Sequence, residues 1–462
     1  MILGLIFLFA AALIGRLVFL QIIKHDFYSA LAKGQQRLFI GNSAERGEIF
    51  FNNYDLPIAT NKMSPLVYIY PRKIRSYPYG SFASHILGFV NNDGKGQYGI
   101  EGYWDDALKD KEDGLYLTVN YNIQYQAEKL LRKAIGSLNA EGGTIIAIEP
   151  GSGRVLALAD SPDFDPNNYS KENDMGVFQS DAFQKIFEPG SAFKSITMAA
   201  ALDKGSITPQ TTFSDPGVIK IGKWEIYNYD QRTYPGEISM IEVLEKSINT
   251  GAVFAQRQLG NKDFLDYIEK FGIFEKTGID LQGEVSSLNN ELKQGHEINF
   301  ATASFGQGIE MTPLQLAMAF SVIANGGKLV QPHLAEREES GNNKKEVISP
   351  VTASKLTAML VSVVENGFGK AAKIPGYYIA GKTGTAQVSF SSLGIAKSGY
   401  SDKTWQSFIG FAPAFNPRFL ILVKLNNPQT KTAEYSAAPV FRDLAKYIID
   451  YWQIPPDYDT DK

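Results

Sequence analysis

The sequence EPGSAFKSITMAAAL at residues 188–202 joins a proline–glycine chain break to an alanine-rich run. Alanine is the strongest helix former, so this stretch predicts a helix that begins near Ser191. Lys194 follows three residues later and therefore lies on the same helix face. A serine needs an adjacent base to act as a nucleophile, and a lysine with a lowered pKa can serve as one. The pair predicts a serine nucleophile with a lysine base, although a helix-capping serine before a solvated lysine fits the same pattern.

Two further motifs follow Ser191 in the order SxxK, SxN, KTG, which is typical of serine acyl-transfer enzymes. They are Ser247-Ile248-Asn249 and Lys382-Thr383-Gly384-Thr385. Each is weak alone, because Ser-x-Asn recurs at three other places and a second KTG begins at Lys276. Lys382 lies in an apolar, strand-like run with glycines that let a substrate backbone approach closely. Lys276 instead follows a helical stretch and leads into a predicted turn, so we expect it to be structural or merely exposed.

The composition excludes several other classes of protein. The chain has 462 residues, of which 44% are hydrophobic, so it is not a disordered chain. With 45 basic and 49 acidic residues it carries a net charge of −4, which argues against binding to nucleic acid. There are no cysteines, and the four histidines show no paired spacing. Disulfides, a thiol nucleophile and a thiolate zinc site are therefore excluded, and we expect neither a metal nor a cofactor.

Residues 2–23, ILGLIFLFAAALIGRLVFLQII, form an apolar run with the single charge Arg16. At about 1.5 Å per residue this run spans about 33 Å as a helix, enough to cross a hydrocarbon core of about 30 Å. A signal peptide cleaved near Ala30-Leu31-Ala32 is the alternative, but the run is longer than such peptides need. Basic residues follow the run and none precedes it, which would place the following chain in the cytoplasm by the positive-inside rule.

Beyond the membrane segment, hydrophobic patterning predicts strands at both ends of a helical region. An amphipathic helix is predicted over Ile123–Leu138, with Gln124, Glu128 and Lys129 on its polar side. The further elements are a hairpin over 143–160, a helix-rich stretch over about 183–325, strands over 377–388, 406–412 and 418–425, and a closing helix near 439–452. This order predicts an α+β fold whose sheet is completed by the C-terminal strands.

Taken together, these residues resemble the class B penicillin-binding proteins, which are membrane-anchored peptidoglycan D,D-transpeptidases. The matching blocks run along nearly the whole chain: Arg46-Gly47-Glu48-Ile49, Gly99-Ile100-Glu101, residues 188–194, 304–308, 312–315, 380–387 and 437–441. The resemblance implies the penicillin-binding transpeptidase fold, an antiparallel sheet sandwiched by helices.

The resemblance also implies a domain order and a location. The order is a transmembrane anchor at 2–23, a reduced pedestal at 24–115, the transpeptidase domain at 116–455 and an acidic tail at 456–462. Family topology implies a single-pass protein of the bacterial cytoplasmic membrane with its catalytic domain outside the cytoplasm. We prefer this orientation to the opposite one, which the flanking charges predict.

Catalytic roles are carried over from the resemblance residue by residue. It implies that Ser191 attacks the penultimate D-Ala carbonyl of a stem pentapeptide, with Lys194 as its base. Ser247 would relay a proton to the leaving amine, whereas Asn249 would contact the substrate amide and Lys194. Lys382 would be a second cation that keeps Lys194 neutral.

Substrate-binding roles follow from the same resemblance. Lys382 would attract the C-terminal carboxylate of the substrate, and Thr383, Gly384 and Thr385 would line its binding site. The backbone N–H groups of Ser191 and Thr385 would form the oxyanion hole.

The implied function is cross-linking of peptidoglycan stem peptides, inhibited covalently by β-lactam antibiotics, with septal synthesis favoured over elongation. Alternatives are a D,D-carboxypeptidase, a serine β-lactamase and a β-lactam sensor or inactive scaffold. A SEDS-type membrane glycosyltransferase is the expected partner, since we identify no glycan-polymerising domain. Small residues at 10–12 and 15 suit helix packing within the membrane.

Overall fold

The computed structural model describes residues 46–63, 73–110, 114–336 and 345–459. The helices of these ranges are α1 (Ser84–Leu87), α2 (Gly99–Tyr103), α3 (Asp105–Asp110), α4 (Tyr121–Leu138), α5 (Lys194–Asp203), α6 (Met240–Glu245), α7 (Asn249–Leu259), α8 (Asn261–Lys270), α9 (Asn290–Lys293), α10 (Glu297–Ala303), α11 (Pro313–Ala324), α12 (Pro350–Asn366) and α13 (Ala437–Tyr451). The strands are β1 (Ile49–Phe51), β2 (Thr60–Met63), β3 (Lys73–Ser76), β4 (Phe89–Val90), β5 (Gly96–Gln97), β6 (Leu115–Leu117), β7 (Gly142–Ile148), β8 (Val155–Ser161), β9 (Thr212–Ser214), β10 (Val218–Ile221), β11 (Trp224–Tyr227), β12 (Glu237–Ser239), β13 (Lys328–Leu329), β14 (Lys345–Glu346), β15 (Ala380–Ser389), β16 (Tyr400–Ala412) and β17 (Phe419–Asn426).

A five-stranded antiparallel sheet in the order β15-β16-β17-β7-β8 organises the larger part of the chain. Its β7–β8 hairpin is the one predicted from the sequence. The C-terminal strand β17 pairs with β7, so the sheet is completed by the C-terminal strands, as predicted. Strand β15, which carries the KTGT motif, lies at one edge of this sheet, where an extended peptide can be added alongside.

Both faces of the central sheet are covered by helices. Helices α4 and α13 pack on one face, whereas α11 packs on the other and α12 lies against β15. Because successive side chains of a strand point to opposite faces, neighbouring residues join different cores. Ile145, Phe408 and Ile421 belong to the first core, and Ile146, Ile409 and Leu422 belong to the second. Apolar burial on both sides makes the sheet a rigid support for groups at its edge.

Helix α4 corrects two details of the sequence prediction. It begins two residues earlier than expected, because the Asn120 side chain caps it by accepting hydrogen bonds from the backbone N–H groups of Asn122 and Ile123. Gln124 was expected on the polar side but is fully buried. Its amide exchanges two hydrogen bonds with the backbone of Leu158, which satisfies a polar group inside the core.

The helix-rich region between β8 and β15 also contains short strands that the sequence did not predict. Strand β9 pairs with β12, and β10 pairs with β11 in a small hairpin. Their mixed exposure explains the omission, since β10 shows no clean alternation of buried and exposed residues.

Near the start of the described chain, buried charges join the first two blocks on which the family resemblance rests. The Arg46 guanidinium donates to Glu101 at 2.6 Å and to Asp105 at 2.7 Å, and Arg75 donates to the other oxygen of Glu101 at 2.6 Å. The Glu101 side chain is fully buried. A buried carboxylate needs such partners, so these contacts hold α2 against the strand that starts at Ile49.

The predicted membrane segment at 2–23 lies outside the described residues. Within the residues that are described, no helix combines the length and the apolar character needed to cross a membrane.

Candidate active site

The candidate nucleophile lies on a tight turn that packs directly against the edge strand. Residues Gly190–Phe193 form a 3₁₀ turn that leads into α5, so Ser191 precedes the helix as predicted. A Cβ atom on Gly190 would lie 2.6 Å from the carbonyl oxygen of Thr385, and one on Gly384 would lie 2.6 Å from the carbonyl oxygen of Pro189. Only glycine therefore permits this close approach of turn and strand.

Lys194 is completely buried, and its amine contacts three polar residues of the site. Its Nζ atom is 3.0 Å from Ser191 Oγ and 2.7 Å from Asn249 Oδ1. It also lies 2.6 Å from the carbonyl oxygen of Ser247 and 3.2 Å from Ser247 Oγ. A neutral amine can donate its two hydrogens to the two nearest acceptors, the Ser247 carbonyl and Asn249 Oδ1. Its lone pair is then available to Ser191.

Ser247 reaches Lys194 through an unusual backbone conformation. It lies in the loop between α6 and α7 with φ +54°, in the left-handed region that residues other than glycine rarely adopt. Asn249 begins α7, and its side-chain amide donates to the carbonyl oxygen of Tyr227 at 2.8 Å. That bond leaves Asn249 Oδ1 facing Lys194. Backbone strain such as that of Ser247 clusters at functional sites, where the surrounding structure maintains it.

Lys382 brings a second buried amine to the same site. Its side chain is fully buried, and its Nζ atom lies 3.0 Å from Ser247 Oγ. The same amine donates more weakly to the carbonyl oxygen and the hydroxyl of Thr383, at 3.3 and 3.4 Å. The Ser247 hydroxyl therefore lies between the amines of Lys194 and Lys382.

Burial controls the charge of both lysines. Removal from water lowers the pKa of Lys194 well below its usual value, and the neighbouring Lys382 cation lowers it further. Burial also lowers the pKa of Lys382, to about 7. The electrostatics therefore favour a neutral amine at Lys194, which is the form that can accept a proton.

The predicted substrate-binding residues lie on β15 beside the turn Gly190–Phe193, which carries Ser191 and is called the nucleophile turn below. Thr383 is buried, whereas Thr385 is partly accessible. The Thr385 hydroxyl accepts a hydrogen bond from the backbone N–H of Ala433 at 3.2 Å, and its own hydrogen stays available to a ligand. Gly384 has no side chain and keeps the strand in contact with the turn at Pro189.

The structure brings the five predicted catalytic side chains together and leaves the second KTG elsewhere. Lys276 lies outside any strand, and the adjacent Thr277 donates its N–H and its hydroxyl to Glu284. The role of the Tyr227 carbonyl was missed, because a backbone carbonyl leaves no trace in the residue pattern. Across the described ranges, no group of three or more His, Asp or Glu side chains is arranged to hold a metal ion.

Comparison with known proteins identifies the family. The family model of the penicillin-binding protein transpeptidase domain matches residues 143–446. Stage V sporulation protein D of Bacillus subtilis is 34% identical over 428 residues, which cover 82% of this chain and 64% of that protein. The peptidoglycan D,D-transpeptidase FtsI homolog of Mesostigma viride is 30% identical and aligns over 84% of this chain and 74% of its own length.

Solved structures agree with the sequence relatives. Penicillin-binding protein 3 of Mycobacterium tuberculosis, in complex with ampicillin, superposes with a TM-score of 0.82 at 29% identity, over 91% of this chain and 98% of that one. The predicted penicillin-binding transpeptidase fold is thus confirmed. This chain spans less than two thirds of the sporulation protein. It likewise spans 65% of penicillin-binding protein PbpB of Mycolicibacterium smegmatis. The matching domain, the relatives and the shared fold lead to one conclusion: the chain belongs to the penicillin-binding protein transpeptidase family, among its class B members.

Proposed function

We propose that this protein is a peptidoglycan D,D-transpeptidase that cross-links stem peptides through an acyl-enzyme on Ser191. The observation that carries the proposal is the 3.0 Å contact between Ser191 Oγ and the buried amine of Lys194. Because burial and the Lys382 cation favour the neutral amine, that amine can take the serine proton during attack.

The reaction proceeds through two acyl transfers. Ser191 Oγ attacks the carbonyl carbon of the penultimate D-Ala, and its proton passes to Lys194. The peptide bond to the terminal D-Ala then breaks, as the Ser247 hydroxyl, which lies between the two amines, relays the proton from Lys194 to the nitrogen of the departing D-Ala. An amine of a second stem peptide then attacks the ester and gives up a proton to Lys194. The ester C–O bond breaks, and return of that proton to the Ser191 oxygen restores the enzyme and releases the cross-linked product.

Lys382 and β15 bind and orient the donor peptide in this scheme. The Lys382 cation attracts the terminal carboxylate, and the Thr383 and Thr385 hydroxyls donate to it. Gly384 keeps strand and turn close, which supports an oxyanion hole formed by the backbone N–H groups of Ser191 and Thr385. Asn249 holds Lys194, and the proposed scheme also gives it a contact with the substrate amide.

Product analysis tests the proposal against its alternatives. The full chain in detergent is incubated with a stem pentapeptide ending in D-Ala-D-Ala and a separate amine acceptor. We expect release of one D-Ala together with transfer to the acceptor. Release with water as the only acceptor indicates a D,D-carboxypeptidase, turnover of penicillin indicates a β-lactamase, and acylation by penicillin without D-Ala release indicates a sensor.

The two KTG copies give a matched pair of variants. Lys382→Ala is expected to slow acylation by benzylpenicillin about 100-fold or more, because the buried cation that attracts the ligand carboxylate is lost. Lys276→Ala removes an exposed lysine outside any strand and should leave the rate within about twofold of wild type. Stopped-flow or quench-flow acylation kinetics measure both. The reverse order of effects would remove the role assigned to Lys382.

We further propose the domain order anchor (2–23), pedestal (24–115), transpeptidase domain (116–455) and acidic tail (456–462). The anchor places a single-pass protein in the bacterial cytoplasmic membrane with its catalytic domain outside. The expected partner is a SEDS-type glycosyltransferase, contacted through the anchor. Exchange of residues 2–23 for an unrelated transmembrane helix should abolish co-purification, and unchanged co-purification would exclude that contact.

A role in septal synthesis is the preferred cellular function. The preference rests on the EPGS block and on the stretch Asn366-Gly367-Phe368-Gly369-Lys370-Ala371-Ala372, which resemble the division enzymes more than the elongation enzymes. A fluorescent fusion is expected at the division septum, and uniform labelling of the side wall would favour elongation instead.

A further inference from the structure

Glu188 is a buried carboxyl close to Ser191 that the proposed reaction does not use. Its side chain is 5% exposed, and it lies three residues before the nucleophile. Its Oε1 atom accepts two hydrogen bonds, from the backbone N–H of Gly308 and from the hydroxyl of Tyr400, both at 3.2 Å. Among the described residues, its Oε2 atom is buried without a hydrogen-bond partner. Burial of a carboxyl oxygen without a hydrogen bond destabilises the folded protein, so the position of Glu188 calls for an explanation beyond general stability.

The first contact of Glu188 joins the nucleophile turn to the loop Gly306–Gly308. Backbone hydrogen bonds already join these segments, since Gly190 N–H donates to Gly306 at 3.0 Å, and Phe187 and Met311 exchange bonds of 2.9 and 3.1 Å. A Cβ atom on Gly306 would lie 2.1 Å from the Gly190 carbonyl oxygen, so the two backbones are in direct contact. The Glu188 bond to Gly308 N–H extends this pairing through a side chain.

The second contact of Glu188, with Tyr400, reaches the hairpin formed by β15 and β16. Tyr400 is the first residue of β16 and pairs with Ser389 at the end of β15. The hairpin between these strands continues from the KTGT strand that packs on the nucleophile turn. Through Tyr400, Glu188 therefore connects the turn to the base of this hairpin as well as to the Gly306–Gly308 loop.

The protonation of Glu188 agrees with this geometry. Burial is the main cause that raises the pKa of Glu188 to about 7; the hydrogen bonds from Gly308 and Tyr400 lower it, and the nearby carboxylate of Glu310 contributes a smaller increase. Tyr400 is the other titratable group that faces it, and its pKa is raised in turn by its own burial and by Glu188. In the neutral form, Oε1 stays an acceptor for both donors, whereas Oε2 carries a hydrogen and no charge is buried.

We propose that Glu188 is a positioning residue, whose carboxyl holds the nucleophile turn, the Gly306–Gly308 loop and the base of the β15–β16 hairpin in register so that Ser191 stays within reach of Lys194. This inference rests on the proposed function, because it concerns the acylation of Ser191. It assigns Glu188 no contact with the substrate.

The test compares Glu188→Ala with the isosteric Glu188→Gln in the full chain, using benzylpenicillin. Glu188→Ala should lower the acylation rate constant about 10- to 100-fold, because a small displacement of the nucleophile is costly. The dissociation constant of the non-covalent complex should change much less than the rate constant, since the side chains of Lys382, Thr383 and Thr385 that bind the ligand in the proposed function are kept. Glu188→Gln keeps a neutral carbonyl acceptor for Gly308 and Tyr400, so it should stay near the wild-type rate at pH 7.

Two further variants separate positioning from general stability. Tyr400→Phe removes one of the two bonds and should lower the rate constant about 2- to 10-fold. Added to Glu188→Ala, it should cause no additional loss, because the shared contact is already absent. Glu310→Ala is the control, since Glu310 is a neighbouring carboxylate with no hydrogen bond to the turn, and it should acylate like the wild type.

Each outcome is decisive. Wild-type rate constants in Glu188→Ala overturn the inference, as do equal losses in the Ala and Gln variants or additive effects with Tyr400→Phe. If Glu188→Ala does not fold, a near-normal Glu188→Gln with a slowed Tyr400→Phe supports the inference, and the opposite pattern overturns it. A wild-type protein that forms no adduct contradicts the proposed function itself, which is a different result.

Discussion

Ser191→Ala is expected to abolish the covalent adduct between the protein and benzylpenicillin. Ser191 Oγ lies 3.0 Å from the Lys194 amine and on the turn that packs against β15. Alanine keeps that turn but has no oxygen to attack the lactam carbonyl. The other hydroxyl near the amine belongs to Ser247, which is also held by Lys382 at 3.0 Å and lies on the separate loop between α6 and α7. Intact-mass measurement after incubation should show the adduct in the wild type and its absence in the variant.

A matched serine in the first turn of α5, the helix that follows Ser191, provides the control. Ser195 lies four residues after the nucleophile, is fully buried, and its hydroxyl has no hydrogen-bond partner in the described structure. Ser195→Ala should therefore keep full labelling and should be neutral for stability, because no bond is lost. Adduct formation that survives Ser191→Ala would assign the nucleophile to another residue. Loss of labelling in Ser195→Ala as well would point to damage of the helix instead.

The parts of the site that the sequence predicts are those with a local cause. Lys194 follows Ser191 by three residues, and helix geometry alone brings the two side chains together. The hairpin β7–β8 is likewise predicted, because two apolar runs flank a proline–glycine turn. The edge position of β15 is predicted less directly. Its glycine-rich, apolar run nevertheless distinguishes Lys382, which lies in a strand, from Lys276 of the other KTG.

The parts that the sequence does not predict depend on contacts between distant segments. Ser247 contacts Lys194 from a backbone with φ +54°, and no propensity of serine indicates that conformation. Asn249 is oriented by the Tyr227 carbonyl, which any residue at that position would supply. The burial of the Gln124 amide also depends on a distant segment, since its hydrogen bond with Leu158 satisfies the polar group inside the core. The roles of Ser247 and Asn249 were therefore predicted from the family resemblance and not from the local sequence pattern.

Lys194→Arg is expected to lower the acylation rate by about 100- to 10,000-fold, the range that a general base contributes. Arginine keeps much of the side-chain volume, but it stays protonated at any working pH, so it cannot replace the neutral amine of Lys194 as a proton acceptor. The Ser191 proton then has no acceptor. The second-order rate constant for acylation by benzylpenicillin, followed by intact mass, measures the effect. Lys204→Arg at the exposed end of the same helix is the control and should react at the wild-type rate.

The pH dependence of the wild type supplies an independent check on the same base. Burial and the Lys382 cation lower the pKa of Lys194, so its amine gains the neutral, proton-accepting form as pH rises through that lowered pKa. Acylation should therefore increase with pH on the acid side. Burial holds the pKa of Lys382 at about 7, and above that value the cation that attracts the ligand carboxylate is progressively lost. The rate constant at low ligand concentration reports the free protein and should follow a bell-shaped curve. In Lys194→Arg the acid limb should disappear, because arginine does not titrate in this range. A variant that retains both the acid limb and near-normal rates would show that another group accepts the Ser191 proton.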